Sequence, residues 1–268
     1  MASNQMGLWL ISCCPTTLCI YLVSFLLVGF TLSSRFRYYI RFSCLILYYF
    51  LMSFVIILMT MFTPGSRNNI YKISKVVRWT DIIWGIKYNI NGIENFKEGQ
   101  NYVIVSNHQS MFDMNIVLNL APKRTACVAK RDILYIPVVG FMFWLMGMFL
   151  INRKNHDKAV DMLNAAAEAM KREKFNVLIF PEGTRHQGKH LLPFKKGAFH
   201  LAQQTQFSIL PIVISNYEDI IHFGKCRFSA GTINITILPE VTTVGLKPDD
   251  VPNLTQRVHS IMENEYEK

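Results

Sequence analysis

The sequence predicts an α/β fold: a mostly parallel central sheet of about seven strands flanked by helices, preceded by an N-terminal hydrophobic helical hairpin. Short apolar runs alternate with helix-periodic segments between residues 86 and 265, as in sheets built from strand–helix–strand units. Two long charge-free runs occupy the first 63 residues, and a bilayer is crossed by about 20 apolar residues. We therefore divide the chain into a membrane-anchoring hairpin at 1–63 and one folded domain at 64–268.

The individual elements follow from the same patterns. Apolar runs predict strands at 86–90, 102–106, 125–129, 148–152, 176–180, 208–215 and 233–238. Helical periodicity predicts helices at 110–120, 157–174, 196–204 and 251–265. A third charge-free run, 133–151, predicts a core helix followed by a strand; a segment lying on the bilayer or lining an acyl pocket is the alternative.

Composition narrows the class of protein. The 268 residues are 51% hydrophobic and only 17% charged, which excludes a disordered chain. The net charge of +10 favours polyanionic partners such as nucleic acid, anionic lipid headgroups or phosphorylated small molecules. Six cysteines without metal-ligand spacing indicate reduced thiols and no built-in metal site.

The anchor consists of the charge-free runs 7–32 and 42–63, joined by a basic connector that carries Arg35, Arg37 and Arg41. A cleaved signal peptide is the alternative for the first run, although that run lacks a basic start and is longer than a usual signal core. Basic residues also follow the second run. Two full spans cannot place both basic groups on the cytosolic side. The sequence therefore allows two arrangements, a hairpin that spans the membrane and one that is half-immersed in one leaflet.

Candidate functional residues follow the ends of the predicted parallel strands. In such sheets the binding or active site lies beyond the carboxyl ends of the strands. His108 follows one strand and Asp113 stands five residues later, so the two form a candidate base and its orienting carboxylate. Five residues along a regular helix would separate them by about 140°. The pair therefore requires His108 in the turn before the helix, with Asn107 and Ser110 as plausible helix starters. The alternative is a capping box formed by Ser110 and Asp113 around a structural histidine.

A second strand end carries the segment Pro181-Glu-Gly-Thr-Arg185. Arginine suits bidentate phosphate binding, and a glycine lets the backbone approach an anion closely. A surface turn with an internal Glu182–Arg185 ion pair is the alternative. Lys130 and Arg153 follow two further strands, and each taken alone is more often structural.

Taken together in this order, the motifs resemble those of the membrane glycerolipid acyltransferases, the lysophosphatidic acid acyltransferase family. The family pattern NHxSxxD stands at 107–113, FPEGTR at 180–185, and similar matches occur at 147–153 and 210–215. The resemblance covers roughly 65–265, and the chain looks most like the 1-acylglycerol-3-phosphate acyltransferases of the endoplasmic reticulum.

The resemblance implies acyl transfer from acyl-CoA, as co-substrate with no intrinsic cofactor, to the sn-2 hydroxyl of lysophosphatidate, yielding phosphatidate. His108 would be the general base and Asp113 its partner. Residues 182–185 (Glu182, Gly183, Thr184 and Arg185) would bind the acceptor's glycerophosphate, assisted by Arg153 and Lys130. The expected setting is the endoplasmic reticulum membrane, with membrane lipid as a partner and the domain facing the cytosol.

Competing functions differ in testable ways. A related acyltransferase acting on glycerol 3-phosphate or another lysophospholipid shares every motif. A non-catalytic phospholipid-binding protein would have no need of the intact His108–Asp113 pair. A serine hydrolase is disfavoured because no G-x-S-x-G elbow occurs. A nucleic-acid binder is disfavoured because the chain has no basic-aromatic module.

Overall fold

The computed structural model of the protein describes residues 15–152 and 156–268. Within this part of the chain, seven strands form one sheet in the order β1-β9-β6-β2-β5-β3-β4. Their bounds are β1 Ile86–Asn91, β2 Val103–Ser106, β3 Thr125–Lys130, β4 Phe149–Ile151, β5 Asn176–Ile179, β6 Ile209–Ile214 and β9 Gly231–Ile237. All neighbours pair in parallel except β6 and β9, which are antiparallel. The predicted fold class and all seven predicted strands are confirmed.

The helices of the described residues surround this sheet. They are α1 Pro15–Leu32, α2 Ser34–Thr60, α3 Asn69–Trp84, α4 Asp113–Leu120, α5 Val139–Leu145, α6 His156–Glu173, α7 Gly197–Thr205 and α8 Val251–Tyr266. Apolar residues of α2, α3 and α4 cover one face of the sheet, and those of α6, α7 and α8 cover the other. The sheet is therefore the middle of three layers.

One helix and one two-stranded hairpin were not predicted from the sequence. Helix α3 buries Ile70, Ile73 and Thr80 at helical spacing, but it also exposes Trp79 and Ile82, which blurs the apolar pattern. The short hairpin of β7 Ile221–His222 and β8 Arg227–Phe228 has only two residues in each strand, too few for a periodic signal.

The run 133–151 contains the predicted helix followed by a strand, here α5 and β4. Helix α5 is amphipathic and does not lie wholly in the core. Gly140 and Leu145 are buried, whereas the stacked rings of Phe141 and Trp144 face outward.

The N-terminal segment forms two consecutive helices, but the predicted basic connector is wrong. A single residue, Ser33, separates α1 from α2, and its hydroxyl accepts a hydrogen bond from the Phe36 amide. This cap starts α2 early, so Arg35, Arg37 and Arg41 lie inside the helix. Arg37 donates to the Phe30 carbonyl at the end of α1. Residues 1–14, where the first charge-free run begins, lie outside the described part of the chain.

Helix α2 rests on the folded domain along its length. Near its start, Tyr38 donates to the Phe223 carbonyl and Arg41 to the Phe228 carbonyl. At mid-helix, the Thr80 hydroxyl donates to Tyr48 at 3.2 Å, and Thr60 near the end is buried. Among the described residues, α2 alone is long and apolar enough to cross a membrane; the apolar part of α1 is shorter.

Candidate functional site

Five parallel strands end at the same edge of the sheet, and this edge collects the predicted site residues. Strand β2 lies between β5 and β6, and β3 and β4 follow beyond β5. The segments after β2 and β5 are therefore neighbours, and a backbone hydrogen bond from the His186 amide to the His108 carbonyl joins them directly at 2.8 Å. The NHxSxxD and PEGTR segments are thus in direct contact at this edge of the sheet.

His108 and Asp113 form the predicted pair. Nδ1 of His108 lies 2.7 Å from Oδ2 of Asp113. The five-residue spacing is accommodated because His108 lies in the turn after β2 while Asp113 is the first residue of α4. The His108 ring stacks on Phe180, with the two ring centroids 4.1 Å apart. Asp113 is fully buried, whereas the His108 side chain keeps 17% of its surface exposed.

Asp113 also closes the turn that carries the histidine. Its Oδ2 accepts hydrogen bonds from the backbone amides of Gln109 at 2.5 Å and Ser110 at 2.8 Å. Ser110 in turn accepts from the Phe112 amide at 2.9 Å. The predicted capping box is only half formed: Asp113 accepts from the Ser110 amide, but Phe112 rather than Ser110 precedes the helix. One carboxylate ends the turn and holds the imidazole.

Asn107 has a different role from the predicted one, and Gln109, for which no role was predicted, shares it. Asn107 does not start the helix; its side chain donates to the Ile214 carbonyl at 2.9 Å and accepts from the Ile214 amide at 2.8 Å. The Gln109 side chain donates to the carbonyls of Ile214 and Ser215. Because both residues lie where two strands end side by side, their amides fasten the histidine turn to the end of β6. The polar residues on either side of His108 were the available signal for this role.

Glu182 faces the protein interior, in disagreement with its predicted direct contact to substrate. Only 3% of the residue is exposed, and its two carboxylate oxygens accept from the backbone amides of His108 at 2.8 Å and Leu192 at 3.1 Å. Burial raises the pKa of Glu182 above its ordinary value, although the two amide donors act in the opposite direction. Within the described residues, Glu182 makes no ion pair with Arg185, so the surface-turn alternative is also wrong.

Gly183 makes the turn after β5 possible. Its φ of +70° lies in the left-handed region, and a Cβ added there would meet the side chain of Lys195, whose Nζ would be 2.6 Å away. Thr184 and Arg185 follow on the exposed side of this turn. The segment therefore carries an exposed threonine and an exposed arginine just before the His186–His108 contact, while the buried Glu182 anchors it.

The two remaining predicted ligands lie at the neighbouring strand ends. Lys130 ends β3 with an exposed ammonium group that pairs with Asp132 at 2.6 Å. Since β3 runs parallel to β5, with Cys127 opposite Leu178, Lys130 emerges beside the PEGTR turn. Arg153 follows β4 but lies outside the described residues.

A cavity of about 690 Å³ opens between the ends of β3, β4 and β5 and the helices α6 and α7. Its walls are largely apolar, with Val128, Leu163 and Ile179 among them, and it also touches Phe180, which stacks on His108. Basic side chains line part of it: Lys195, Lys196 and His200. Burial, followed by the nearby Lys196, lowers the pKa of His200. An apolar space with cationic groups suits an amphiphile that carries anionic groups.

One group of three potential metal ligands occurs within 15–152 and 156–268: His190, Glu263 and Glu267. Nδ1 of His190 already lies 3.0 Å from Glu263 and 2.9 Å from Glu267. The two carboxylates raise the pKa of His190, and these contacts tie the loop after the PEGTR turn to α8. The group is thus accounted for as an exposed ion-pair cluster.

Comparison with known proteins supports one family. The sequence model of a family described as Acyltransferase matches residues 87–215. The chain is 41% identical to 1-acyl-sn-glycerol-3-phosphate acyltransferase alpha of Bos taurus over 67% of this chain and 63% of the bovine protein. It is 37% identical to the human 1-acyl-sn-glycerol-3-phosphate acyltransferase beta, over 80% of this chain and 77% of the human protein. The chain thus spans less than two thirds of the bovine relative.

A solved structure has the same fold. The crystal structure of the 1-acyl-sn-glycerophosphate acyltransferase PlsC from Thermotoga maritima superimposes with a TM-score of 0.68 at 25% identity. The match covers 86% of this chain and 96% of that one.

Proposed function

Because the chain belongs to the 1-acyl-sn-glycerol-3-phosphate acyltransferase family, we propose that it transfers an acyl group from acyl-CoA to the sn-2 hydroxyl of lysophosphatidate, making phosphatidate. The observation that carries this proposal is the 2.7 Å contact between Nδ1 of His108 and Oδ2 of Asp113 at the open end of β2. A base held by a buried carboxylate suits activation of a hydroxyl that the substrate itself brings.

The reaction needs one proton carrier. With Nδ1–H donating to Asp113, Nε2 of His108 holds the lone pair that takes the proton of the acceptor hydroxyl. The hydroxyl oxygen attacks the thioester carbonyl carbon, so a C–O bond forms and a tetrahedral intermediate follows. Its collapse breaks the C–S bond, and the leaving CoA sulfur takes the proton back from the imidazolium. A positioned general base contributes about 10² to 10⁴ in rate.

The exposed groups at this edge suit a phosphorylated acceptor. Thr184 and Arg185 stand on the Gly183 turn next to His108, and Lys130 emerges from the neighbouring strand. Each hydrogen bond to an ionised phosphate contributes about 1.5–3 kcal/mol. We assign Thr184, Arg185 and Lys130, together with Arg153, to the glycerophosphate, and Glu182 to positioning of the turn.

The cavity beside Phe180 supports the donor half of the reaction. Its apolar walls suit an acyl chain, since each buried methylene contributes about 0.8 kcal/mol. Phe180 lines this cavity and stacks on His108, which supports an acyl chain bound close to the base.

Helices α1 and α2 support a membrane location. The outer side of α2 is an apolar stripe of exposed side chains: Leu47, Phe50, Leu51, Phe54 and Leu58. The opposite side of α2 packs against the folded domain, so lipid can contact only the outer side of the helix. We propose that the pair is half-immersed in one leaflet of the endoplasmic reticulum membrane, with the domain on the cytosolic side.

The test is consumption of acyl-CoA by the purified full chain in liposomes. Lysophosphatidate, glycerol 3-phosphate and lysophosphatidylcholine are offered separately, to wild type and to His108→Ala. His222→Ala, at a histidine of the β7–β8 hairpin, is the matched control. We expect turnover with lysophosphatidate that is lost in His108→Ala and kept in His222→Ala. Preference for another acceptor would overturn the substrate assignment. No turnover with any acceptor from folded protein would support a phospholipid-binding role instead.

A further inference from the structure

Tyr217 reaches the His108–Asp113 pair from the far side. It lies three residues beyond the end of β6 and is only 1% exposed. Its hydroxyl hydrogen-bonds Oδ1 of Asp113, the carboxylate oxygen that does not face His108. The same hydroxyl lies 2.8 Å from Oγ of Ser110. Tyr217 is therefore more than a packing residue, because its hydroxyl binds the carboxylate that holds His108.

The direction of these hydrogen bonds follows from which groups carry a proton to donate. A carboxylate only accepts, so the single hydroxyl proton of Tyr217 goes to Asp113. Ser110 must then donate to Tyr217, while its Oγ accepts from the Phe112 amide. The result is a one-way chain, in which Ser110 donates to Tyr217 and Tyr217 donates to Asp113. Asp113 also accepts the Nδ1–H of His108.

The segment that carries Tyr217 is itself fixed. The Tyr217 amide donates to the Gln109 side chain at 3.4 Å, and Gln109 and Asn107 both bind Ile214. Residues on both sides of the histidine therefore hold the backbone on which the tyrosine stands. Burial, followed by the Asp113 charge, raises the pKa of Tyr217 well above its ordinary value, so the hydroxyl keeps its proton.

We propose that Tyr217 is a positioning residue for the His108–Asp113 pair. By holding Oδ1, it leaves Oδ2 aimed at the imidazole and draws negative charge away from that oxygen. Among the described residues, Tyr217 is the one partner of Oδ1, since the His108, Gln109 and Ser110 contacts all end on Oδ2. This inference rests on the proposed function, because it assigns a role within the same reaction.

The first test is Tyr217→Phe in the full chain, which removes one hydroxyl and keeps the ring. We expect kcat to fall by roughly tenfold or more, as for loss of a hydrogen bond to a charged group, with KM for both substrates within about twofold. Since the carboxylate would then act on the imidazolium with its full charge, the acidic limb of the kcat/KM profile should move to higher pH.

The matched control is Tyr102→Phe. Tyr102 is equally buried, and its hydroxyl accepts from the Lys97 amide at the other end of β2. We expect Tyr102→Phe to leave the pH dependence of kcat/KM unchanged, even if it lowers Tm. An unmoved limb in Tyr217→Phe, or an equal fall of kcat in both variants, would overturn the positioning role.

A second readout does not need turnover. In histidine-labelled protein, the low-field Nδ1–H proton signal is assigned to His108 by its loss in His108→Ala. We expect this signal to shift or broaden in Tyr217→Phe and to stay unchanged in Tyr102→Phe. If wild type acts on no acceptor, the proposed function fails, yet this signal still decides the role of Tyr217; an unchanged signal in Tyr217→Phe overturns it.

Discussion

Two buried carboxylates hold the histidine turn from opposite sides. Asp113 binds the imidazole and two amides of the turn, and Glu182 binds the amide of His108 itself. Removing one acceptor from such a contact leaves a buried amide without a partner, which costs about 1–3 kcal/mol. At the residue scale, the buried acidic groups therefore fix the backbone of the site, and the exposed basic groups are the ones that we assign to the substrate.

Glu182→Gln tests this division of roles. A glutamine offers one acceptor oxygen, so it cannot serve the amides of both His108 and Leu192. We expect a lower Tm and a kcat reduced by roughly tenfold, with KM for lysophosphatidate nearly unchanged. Steady-state kinetics and thermal unfolding in detergent measure both. A rise in KM for lysophosphatidate without a change in kcat would instead place Glu182 in contact with the substrate.

Arg185→Ala should give the opposite kinetic pattern. We expect KM for lysophosphatidate to rise by about 10–100-fold, the equivalent of one charged hydrogen bond, and KM for acyl-CoA to change much less. Arg227→Ala, which removes an exposed arginine in the β7–β8 hairpin, is the control and should change neither constant. Equal rises in both KM values would assign Arg185 to a contact that the two substrates share.

At the scale of elements, a buried polar cluster joins α3, β1 and α4 beneath α2. Asp81 accepts from the Tyr88 hydroxyl at 2.6 Å and from the Asn119 side chain at 2.5 Å. Burial is the main reason that the pKa of Asp81 rises from 3.8 to about 6. The helix that the sequence prediction missed is thus fixed to the sheet by a buried carboxyl whose pKa is raised.

This cluster predicts a pH-dependent stability. Between pH 4 and pH 6 the folded state binds more protons at Asp81 than the unfolded state, so its contribution falls as pH rises through this window. The full difference is on the order of 3 kcal/mol. We expect Asp81→Asn to gain Tm relative to wild type on going from pH 4 to pH 7. Asp219→Asn, at an exposed carboxylate, should show no such trend; the same trend there would contradict the assignment to Asp81.

At the scale of the whole molecule, the packing of α2 against the folded domain is what the proposed half-immersed placement depends on. A helix of 27 residues is about 40 Å long, enough to cross a bilayer. Yet contacts from Tyr38 to Thr60 hold it against the folded domain. The net charge of +10 and the apolar stripe together suit an anionic membrane surface.

Single-cysteine labelling tests this placement. In a chain whose native cysteines are replaced, Arg35→Cys and Phe62→Cys mark the two ends of α2, and Ala165→Cys marks the folded domain. With a membrane-impermeant thiol reagent on sealed vesicles, a half-immersed helix predicts that all three sites react from the same side. Reaction of the Arg35 and Phe62 sites from opposite sides would show a spanning helix instead.

The sequence by itself determined the seven strands, the four helices that follow them, the pairing of His108 with Asp113 and the family. These are local patterns: apolar periodicity, a short spacing across one turn, and motifs read in order. Helix α3 was missed because exposed and core-facing apolar residues share its surface, and the basic connector was wrong because one serine cap decides where α2 begins.

Only the tertiary structure decided what each side chain faces. Whether Glu182 meets the substrate or the backbone depends on Leu192 and His108, which lie 10 and 74 residues away along the chain. Tyr217 carries no local signal, because its role arises from β6 ending beside β2, which brings its hydroxyl to Asp113 over 104 residues. Hydrogen bonds over such distances are set by strand order, and strand order is fixed by packing of the whole sheet.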